Sequence, residues 1–170
     1  MLSQKSNTFA EAAKEKRVPR HALEQWVATI RQEGKTIATL NGSFDLLHAG
    51  HLEMIYQASL QADVLIVALN TDASIQRYKS KDRPIIPLEY RQQMMTALAM
   101  VDYVTEFDET DPRVILEIIR PDVHVNGSEY GADCIEAEVV KKHGGRLHIV
   151  SLVPGLSTSK IIEKIKKTCV

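Results

Sequence analysis

The chain of 170 residues has only two cysteines, Cys134 and Cys169, far apart and in no CxxC pair. Neither a disulfide framework nor a zinc knuckle can be built from them, and lone thiols fit a reducing compartment. No apolar run approaches the ~18–20 residues needed to span a bilayer. The opening "MLSQKSNTFAEAAKEKRVPR" lacks the apolar stretch of a secretory signal. It is Lys/Arg-leaning and contains alanine, which leaves an organelle-targeting reading open beside that of a solvated leader. A flexible leader over 1–19, a single domain over 20–170 and a cytoplasmic location are the expectations. Charge of one sign is also missing, since Lys+Arg 21 against Asp+Glu 22 gives a net −1. Nothing in that total favours nucleic acid or an anionic membrane, although a local basic pocket for a small anion is not excluded. Two phosphate-binding fingerprints are absent as well, because the chain contains neither GxxxxGK[ST] nor GxGxxG.

What is present is an alternation of short apolar runs with helical periodicity. A helical pattern, "HALEQWVATIRQEG", with apolar Leu23, Trp26, Val27 and Ile30, closes at Gly34. Strands are predicted at "TIATL", "DVLIVAL", "DYVTEF", "PDVHVNG" and "RLHIVSL". Helices are predicted from Ala49 to Ala62, after Thr71 or Asp72, from Pro87, from Pro112 behind Asp111, over "ADCIEAEVVKKHGG", and over "STSKIIEKIKK". The second strand is apolar throughout, as a central parallel strand is. The pattern contains no repeat or internal linker. It predicts an α/β fold, a Rossmann-like doubly wound parallel sheet with helices on both faces. Such sheets bind ligands beyond the carboxyl ends of their strands, at a topological switch point.

At the end of the first predicted strand stands "NGSFDLLHAGH", Asn41 to His51. Three readings fit it. His48 and His51 can be structural, satisfied by local carbonyls at a helix start. With Asp45 they can form a metal-ligand set, since two histidines one turn apart can chelate zinc. Or both imidazoles and the free backbone N–H groups can face phosphate at the positive end of a helix, with Gly50 letting the ligand lie against the backbone. No further His or Cys cluster completes a zinc shell, whereas more phosphate binders follow in Lys79, Lys81, Arg83, Arg91 and "LSTSK".

"GSFDLLHAGH" resembles the HxGH motif of the cytidylyltransferase-like nucleotidyltransferases, and "GLSTSKII" resembles their C-terminal hydroxyl-rich element. The resemblance runs over roughly Val18 to Lys166. Within the family, "NTDAS…K…RPIIPLEYR" is most similar to the adenylyltransferase domain of ADP-heptose synthases, with glycerol-3-phosphate cytidylyltransferase second. The resemblance implies that an acceptor phosphate attacks the α-phosphorus of ATP or CTP and displaces pyrophosphate. Mg²⁺ is expected through the nucleotide phosphates rather than on protein ligands, and the acceptor would be a phosphorylated sugar or polyol. His48, His51, Lys79 and Lys81 would be catalytic, and the imidazoles' value as donors would depend on protonation, with activity falling at high pH. Asn41, Gly42, Ser43, Phe44, Gly50, Arg91, Asn126, Gly127, Ser157, Thr158 and Ser159 would bind nucleotide. Asp45, Arg83 and Glu129 would face the acceptor. Dimers are common among relatives, so a homodimer is expected to be available to this chain.

The chain departs from that resemblance in places. Ser43 stands where ADP-heptose synthases usually have cysteine. "HVNGSEY" stands where relatives commonly read V-K-G-G-D-Y, so Asn126 replaces a lysine and Glu129 an aspartate. An asparagine can hydrogen-bond a hydroxyl or a phosphate but supplies no charge. Rival readings are CDP-glycerol formation, a catalytically silent nucleotide-binding module and a zinc-dependent hydrolase.

Overall fold

The computed structural model describes residues 8–131, 133–151 and 153–169. Five strands form one parallel sheet, β1 (Ile37–Gly42), β2 (Val64–Asn70), β3 (Tyr103–Phe107), β4 (Val123–Gly127) and β5 (Arg146–Val150). Their spatial order is β3-β2-β1-β4-β5. Chain progress therefore runs outward on one side from β1 to β3, and jumps back to place β4 on the other side of β1. The switch point falls between β1 and β4, where the motif at Asn41 and the stretch at Asn126 leave the sheet side by side. In β2 every residue is buried, as its unbroken apolar run predicts.

Both sheet faces are covered. On one, Ile37, Ile66 and Ala68 pack with Leu23, Val27 and Ile30 of α2 (Leu23–Gln32), with α6 (Arg113–Ile119), and with Val139 and Val140 of α7 (Ala137–Lys142). Trp26, half-buried on α2, meets Tyr103 edge to face at 5.3 Å and pins that helix to β3. On the other face Leu40, Leu65, Val67 and Val125 pack with Ile55 and Ala58 of α3 (Ala49–Ser59) and Met95 of α5 (Leu88–Thr96). The remaining helices are α1 (Phe9–Lys14), α4 (Asp72–Tyr78) and α8 (Thr158–Thr168). Among the described residues no helix is long and apolar enough to cross a membrane.

Helix boundaries follow capping chemistry. Thr71 and Ser157 accept from the backbone N–H groups of Ser74 and Lys160, as N-caps do. Pro87 and Pro112 take the cap position itself rather than the first helical turn. The helix expected from Ala132 begins at Ala137, and Ala132 lies outside the described residues.

The flexible leader expected over 1–19 is corrected for the described residues 8–19. Thr8 and Glu11 close a capping box on α1, and Ala13 and Val18 are buried. Val18 N donates to Val104 O and Val104 N donates to Lys16 O, both at 2.8 Å, so this segment lines the outer edge of β3. Lys16 Nζ donates to Val101 O at 2.7 Å and Leu98 O at 3.2 Å, satisfying two carbonyls at the end of the α5 region. Polarity at the sequence level concealed this, because a lysine that caps carbonyls reads like one that faces solvent. Residues 1–7 lie outside the described part. A chain that starts at Pro19 should lose ~2 kcal/mol or more of stability through lost burial and unpaired carbonyls. A urea titration checks this, and an unchanged midpoint would contradict the packing.

Candidate active site

The turn out of β1 is strained and tightly held. Phe44 sits at φ 43, a left-handed conformation that a bulky side chain rarely adopts. Its ring is buried against the α-carbon side of Gly42, where an added Cβ would stand 3.1 Å from the ring. The same ring meets His51 at 5.0 Å. Arg91, wholly buried on α5, holds the turn from beneath. Its Nη1 donates to Ser43 O at 2.7 Å, its Nε to Ile86 O at 2.9 Å and its Nη2 to Asp72 Oδ1 at 2.6 Å. Asp45, also buried, accepts from Arg83 Nε at 2.6 Å and from the N–H groups of Ile85 and Ile86 at 2.8 and 2.9 Å.

These partners correct three expectations. Arg91 was expected on nucleotide phosphate, but each of its nitrogens is engaged by protein oxygen. Asp45 was expected near the acceptor, and its carboxylate instead fixes the 83–86 loop. Arg83 was expected near the acceptor as well. It leans on Asp45 and lines a shallow exposed pocket with Ser159, Ile162, Glu163 and Lys166. With Asp45 so engaged, the metal-ligand reading of Asp45, His48 and His51 also fails. Among the described residues no group of three His, Cys, Asp or Glu side chains could hold a metal ion.

His48 caps α3, its Nδ1 accepting from His51 N at 3.4 Å. A neutral His48 then carries its proton on Nε2, which is left to donate. The two imidazoles are stacked, with centroids 3.8 Å apart and planes 18° from parallel. Gly50 allows this, because a Cβ there would stand 3.1 Å from the His48 ring. The glycine thus makes room for an imidazole, a closer demand than the ligand contact anticipated for it.

The pair lines a cavity of about 280 Å³ together with the start of α8, with Ser157, Thr158 and Ser159. Asn41, Gly42, Ser43, Phe44 and Lys79 complete its polar wall. Lys79 Nζ donates to Ser43 Oγ at 2.9 Å. Burial, then the neighbouring Arg83 and Arg91 charges, lower the Lys79 pKa, while Asp45 opposes them. This is a chamber of donors: two helix N-termini, two imidazoles, hydroxyls and one ammonium around a space that fits a polyphosphate.

Several expected residues fall elsewhere. Lys81 is exposed and lines neither this cavity nor the one beside it. Gly127 lines neither, and a Cβ on it would run into the Glu129 carboxylate. Glu129 belongs to the histidine cavity rather than to a separate acceptor face. Asn126, expected on nucleotide, opens instead into the neighbouring cavity. The sequence did not point to Met54, Tyr130, Val153 or Leu156, which supply the apolar part of the first cavity. Their only signal was position, just after β4 or β5 or one turn into α3.

Residues 39–165 match the cytidylyltransferase-like family. "Bifunctional protein HldE" of Geobacter sulfurreducens is 44% identical over 142 residues, 83% of this chain and 29% of that protein. The HldE of Syntrophotalea carbinolica is 40% identical over 147 residues, 86% of this chain and 30% of its own length. The chain thus spans about three tenths of these relatives. Among solved structures, the lipopolysaccharide core biosynthesis protein from Thermoplasma volcanium GSS1 superposes with a TM-score of 0.57 at 28% identity, covering 71% of this chain and 98% of that one. A pantoate-beta-alanine ligase from Francisella tularensis, with a TM-score of 0.57 at 14% identity over 90% of this chain and 79% of its own, shares the fold.

Two histidines are held neutral. Burial first, then the His48 and Lys79 charges, push His51 from 6.5 down to about 4, against the pull of the Leu46 carbonyl. Burial takes His124 down to about 3, with Nδ1 on Thr39 Oγ1 at 2.8 Å and Nε2 buried without a partner. In the unfolded chain both titrate near 6.5, so below that value the unfolded state binds more protons than the folded one. Their stability contribution is complete above 6.5 and is lost as pH falls towards about 4 and then about 3. Urea midpoints should drop as pH is lowered from neutrality, and His124→Asn should flatten that drop. An unaltered pH slope in the variant would contradict the buried neutral imidazole.

Proposed function

The chain belongs to the cytidylyltransferase-like family, and from that premise we propose that it transfers an adenylyl group from ATP to heptose 1-phosphate and releases pyrophosphate. The order of motifs, most similar to the adenylyltransferase domain of ADP-heptose synthases, supports this donor and acceptor. One observation carries the reading: the stacked pair His48 and His51, with Nε2 of His48 left to donate, lines the same donor-rich cavity as the N-terminus of α8.

In this reading the triphosphate lies between α3 and α8. Ser157, Thr158 and Ser159 receive its distal phosphates, and His48 and His51 donate to the α-phosphoryl oxygens and the bridging oxygen that leaves. An oxygen of the acceptor phosphate forms a bond to the α-phosphorus while the bond from that phosphorus to the bridging oxygen breaks. Pyrophosphate departs with the electron pair. The reaction asks little covalent chemistry of the protein and much positioning, which suits a site made of pre-aimed donors. Mg²⁺ fits as a counterion held by the phosphates, where it would neutralise their charge, and Glu129 is the carboxylate that lines this cavity.

Imidazoles whose pKa values burial lowers change the expected pH behaviour. A neutral His48 still donates through Nε2–H, and a bound polyphosphate opposes the forces that depress His51. Donation by the free protein therefore does not require protonation near neutrality, and the fall at high pH expected from simple imidazolium donors is not part of this proposal. The free thiols of Cys134 and Cys169 and the use of ATP favour a cytoplasmic location. A homodimer is also proposed. Leu52 and Tyr56 on α3 and Leu60 at its C-cap, exposed at four-residue spacing, form a stripe suited to a second copy.

Pyrophosphate release with Mg²⁺, ATP and heptose 1-phosphate tests the reading, with CTP and glycerol 3-phosphate as the competing pair. His51→Ala should lower kcat ~100-fold or more while changing nucleotide affinity only a few fold. Equal losses in affinity and turnover would remove His51 from the transition state. Release with CTP and glycerol 3-phosphate alone would replace the proposed substrates.

A further inference from the structure

Beside the histidine cavity lies a second one of about 300 Å³, and the two share Asn41, Gly42, Ser43, Lys79 and Tyr130 as a common wall. Thr110, Asp111 and Pro112, from the turn that joins β3 to α6, line the second cavity and not the first. A connecting turn has no strand partner, so its shape depends on the side chains that grip it. One grip comes from α4 and its cap. Thr71 Oγ1 donates to Asp108 Oδ1, Arg77 Nη2 to Asp108 Oδ2 at 2.9 Å, and Ser74 Oγ to Glu109 O at 2.7 Å. Another comes from the segment ahead of β1, where Arg20 Nη2 and Nη1 donate to Glu109 Oε1 and Oε2 at 2.9 and 3.2 Å.

Strand pairing explains how Arg20 comes to that turn. Arg17 pairs with Val104 of β3 in the parallel sense, so both chains run on towards the carboxyl end of the sheet. The strap of residues 16–20 therefore delivers Arg20 to the level of the turn, where a short 3-10 turn over Arg20–Ala22 begins. The guanidinium meets the carboxylate in bidentate fashion, which fixes direction as well as distance. Glu109 lines neither cavity; its carboxylate is spent on the strap while Thr110 and Asp111 beside it form cavity wall. The connection also reaches deeper. Ser74 is wholly buried, donates to the Glu109 carbonyl and accepts from Asn70 Nδ2 at 3.0 Å. Asn70 lines the same cavity. A run of hydrogen bonds thus leads from Arg20 through Glu109 and Ser74 to a buried amide at the carboxyl end of β2.

We infer that Arg20 is a positioning residue for the reaction: through its bidentate pair with Glu109, the strap ahead of β1 sets the 108–111 turn and with it one wall of the cavity beside the histidines. The inference rests on the nucleotidyltransferase reading and adds to it a residue that precedes the stretch 39–165 matched by the family. Arg20 touches no substrate. It acts on the site because a wall displaced by a fraction of an ångström misplaces whatever leans on it. Triphosphate held between α3 and α8 makes no contact with this turn in that reading, so the effect falls on the second substrate and spares the first. The ion pair is 31% and 34% exposed, and a pair so open to water adds little to global stability. Its consequence is local geometry.

The test uses the full chain with Mg²⁺, ATP and heptose 1-phosphate, following pyrophosphate release, together with calorimetric binding of a non-hydrolysable ATP analogue. Arg20→Ala and Glu109→Gln should each raise the KM for heptose 1-phosphate about fivefold, with kcat and analogue affinity kept within about twofold of the parent. The double variant should be no worse than either single one, because both remove the same contact. Amide exchange over residues 107–116 should quicken in Arg20→Ala while the urea midpoint hardly moves. Unchanged acceptor KM values, or effects that multiply in the double variant, would overturn the inference and leave the nucleotidyltransferase reading intact. So would analogue affinity falling in step with the KM, the mark of general loosening. Unchanged exchange over 107–116 would overturn it whatever the activity. No pyrophosphate release by the parent chain with any phosphate monoester would overturn the functional reading, and this inference with it.

Discussion

The geometry of the site depends on a buried cation. Arg91 carries its charge into the interior with no exposure at all, and meets two backbone carbonyls and the Asp72 carboxylate there. Burying such a group is tolerable only when its donors are directed at oxygen. One of those oxygens is the carbonyl of Ser43, immediately before the left-handed Phe44. The clamp therefore holds the chain in a conformation it would otherwise leave. That conformation turns the backbone of β1 towards α3, sets Phe44 edge-on to His51, and puts Ser43 on the wall shared by the two cavities. Asp45 makes the matching connection to the 83–86 loop. The strain at Phe44 and the rigidity around it are one arrangement.

From that turn the functional contrast follows. One side of the switch point gathers donors: the capped start of α3, the hydroxylated start of α8, Lys79. The other gathers acceptors on Asn41, Asn70, Asn126 and Glu136. The first suits the phosphate chemistry proposed for it. The net charge of −1 conceals this segregation, because it cancels over the chain while the site does not cancel locally.

The fold was legible because hydrophobic period and capping chemistry are local. Each of the five strands lies inside or within two residues of a predicted run, and the unbroken apolar stretch at Val64–Leu69 marked a buried strand. The placement of the histidine pair was legible for the same reason, since three-residue spacing at a helix start puts both side chains on one face, while the chemistry of that face stayed open to three readings. Arg91 was misread because a sequence shows which helix an arginine is on but not whether a carbonyl waits above it. Asp45 was misread in the same way. The second cavity was hidden altogether. Its residues come from segments spread between Asn41 and Glu136, and only the order β3-β2-β1-β4-β5 brings them together. Residues 8–18 looked like a leader because strand-edge pairing through backbone groups leaves little trace in side-chain polarity.

The most direct measurement is a crystal structure of the full chain with Mg²⁺ and a non-hydrolysable ATP analogue. The account predicts the α-phosphate within hydrogen-bonding distance of His48 and His51, and the distal phosphates at Ser157, Thr158 and Ser159. It also predicts Arg91 still buried on Ser43 and the cavity at Asn70 and Glu136 clear of nucleotide. A triphosphate bound on Arg91 or Arg83, or lying in the cavity beside Glu136, would contradict it.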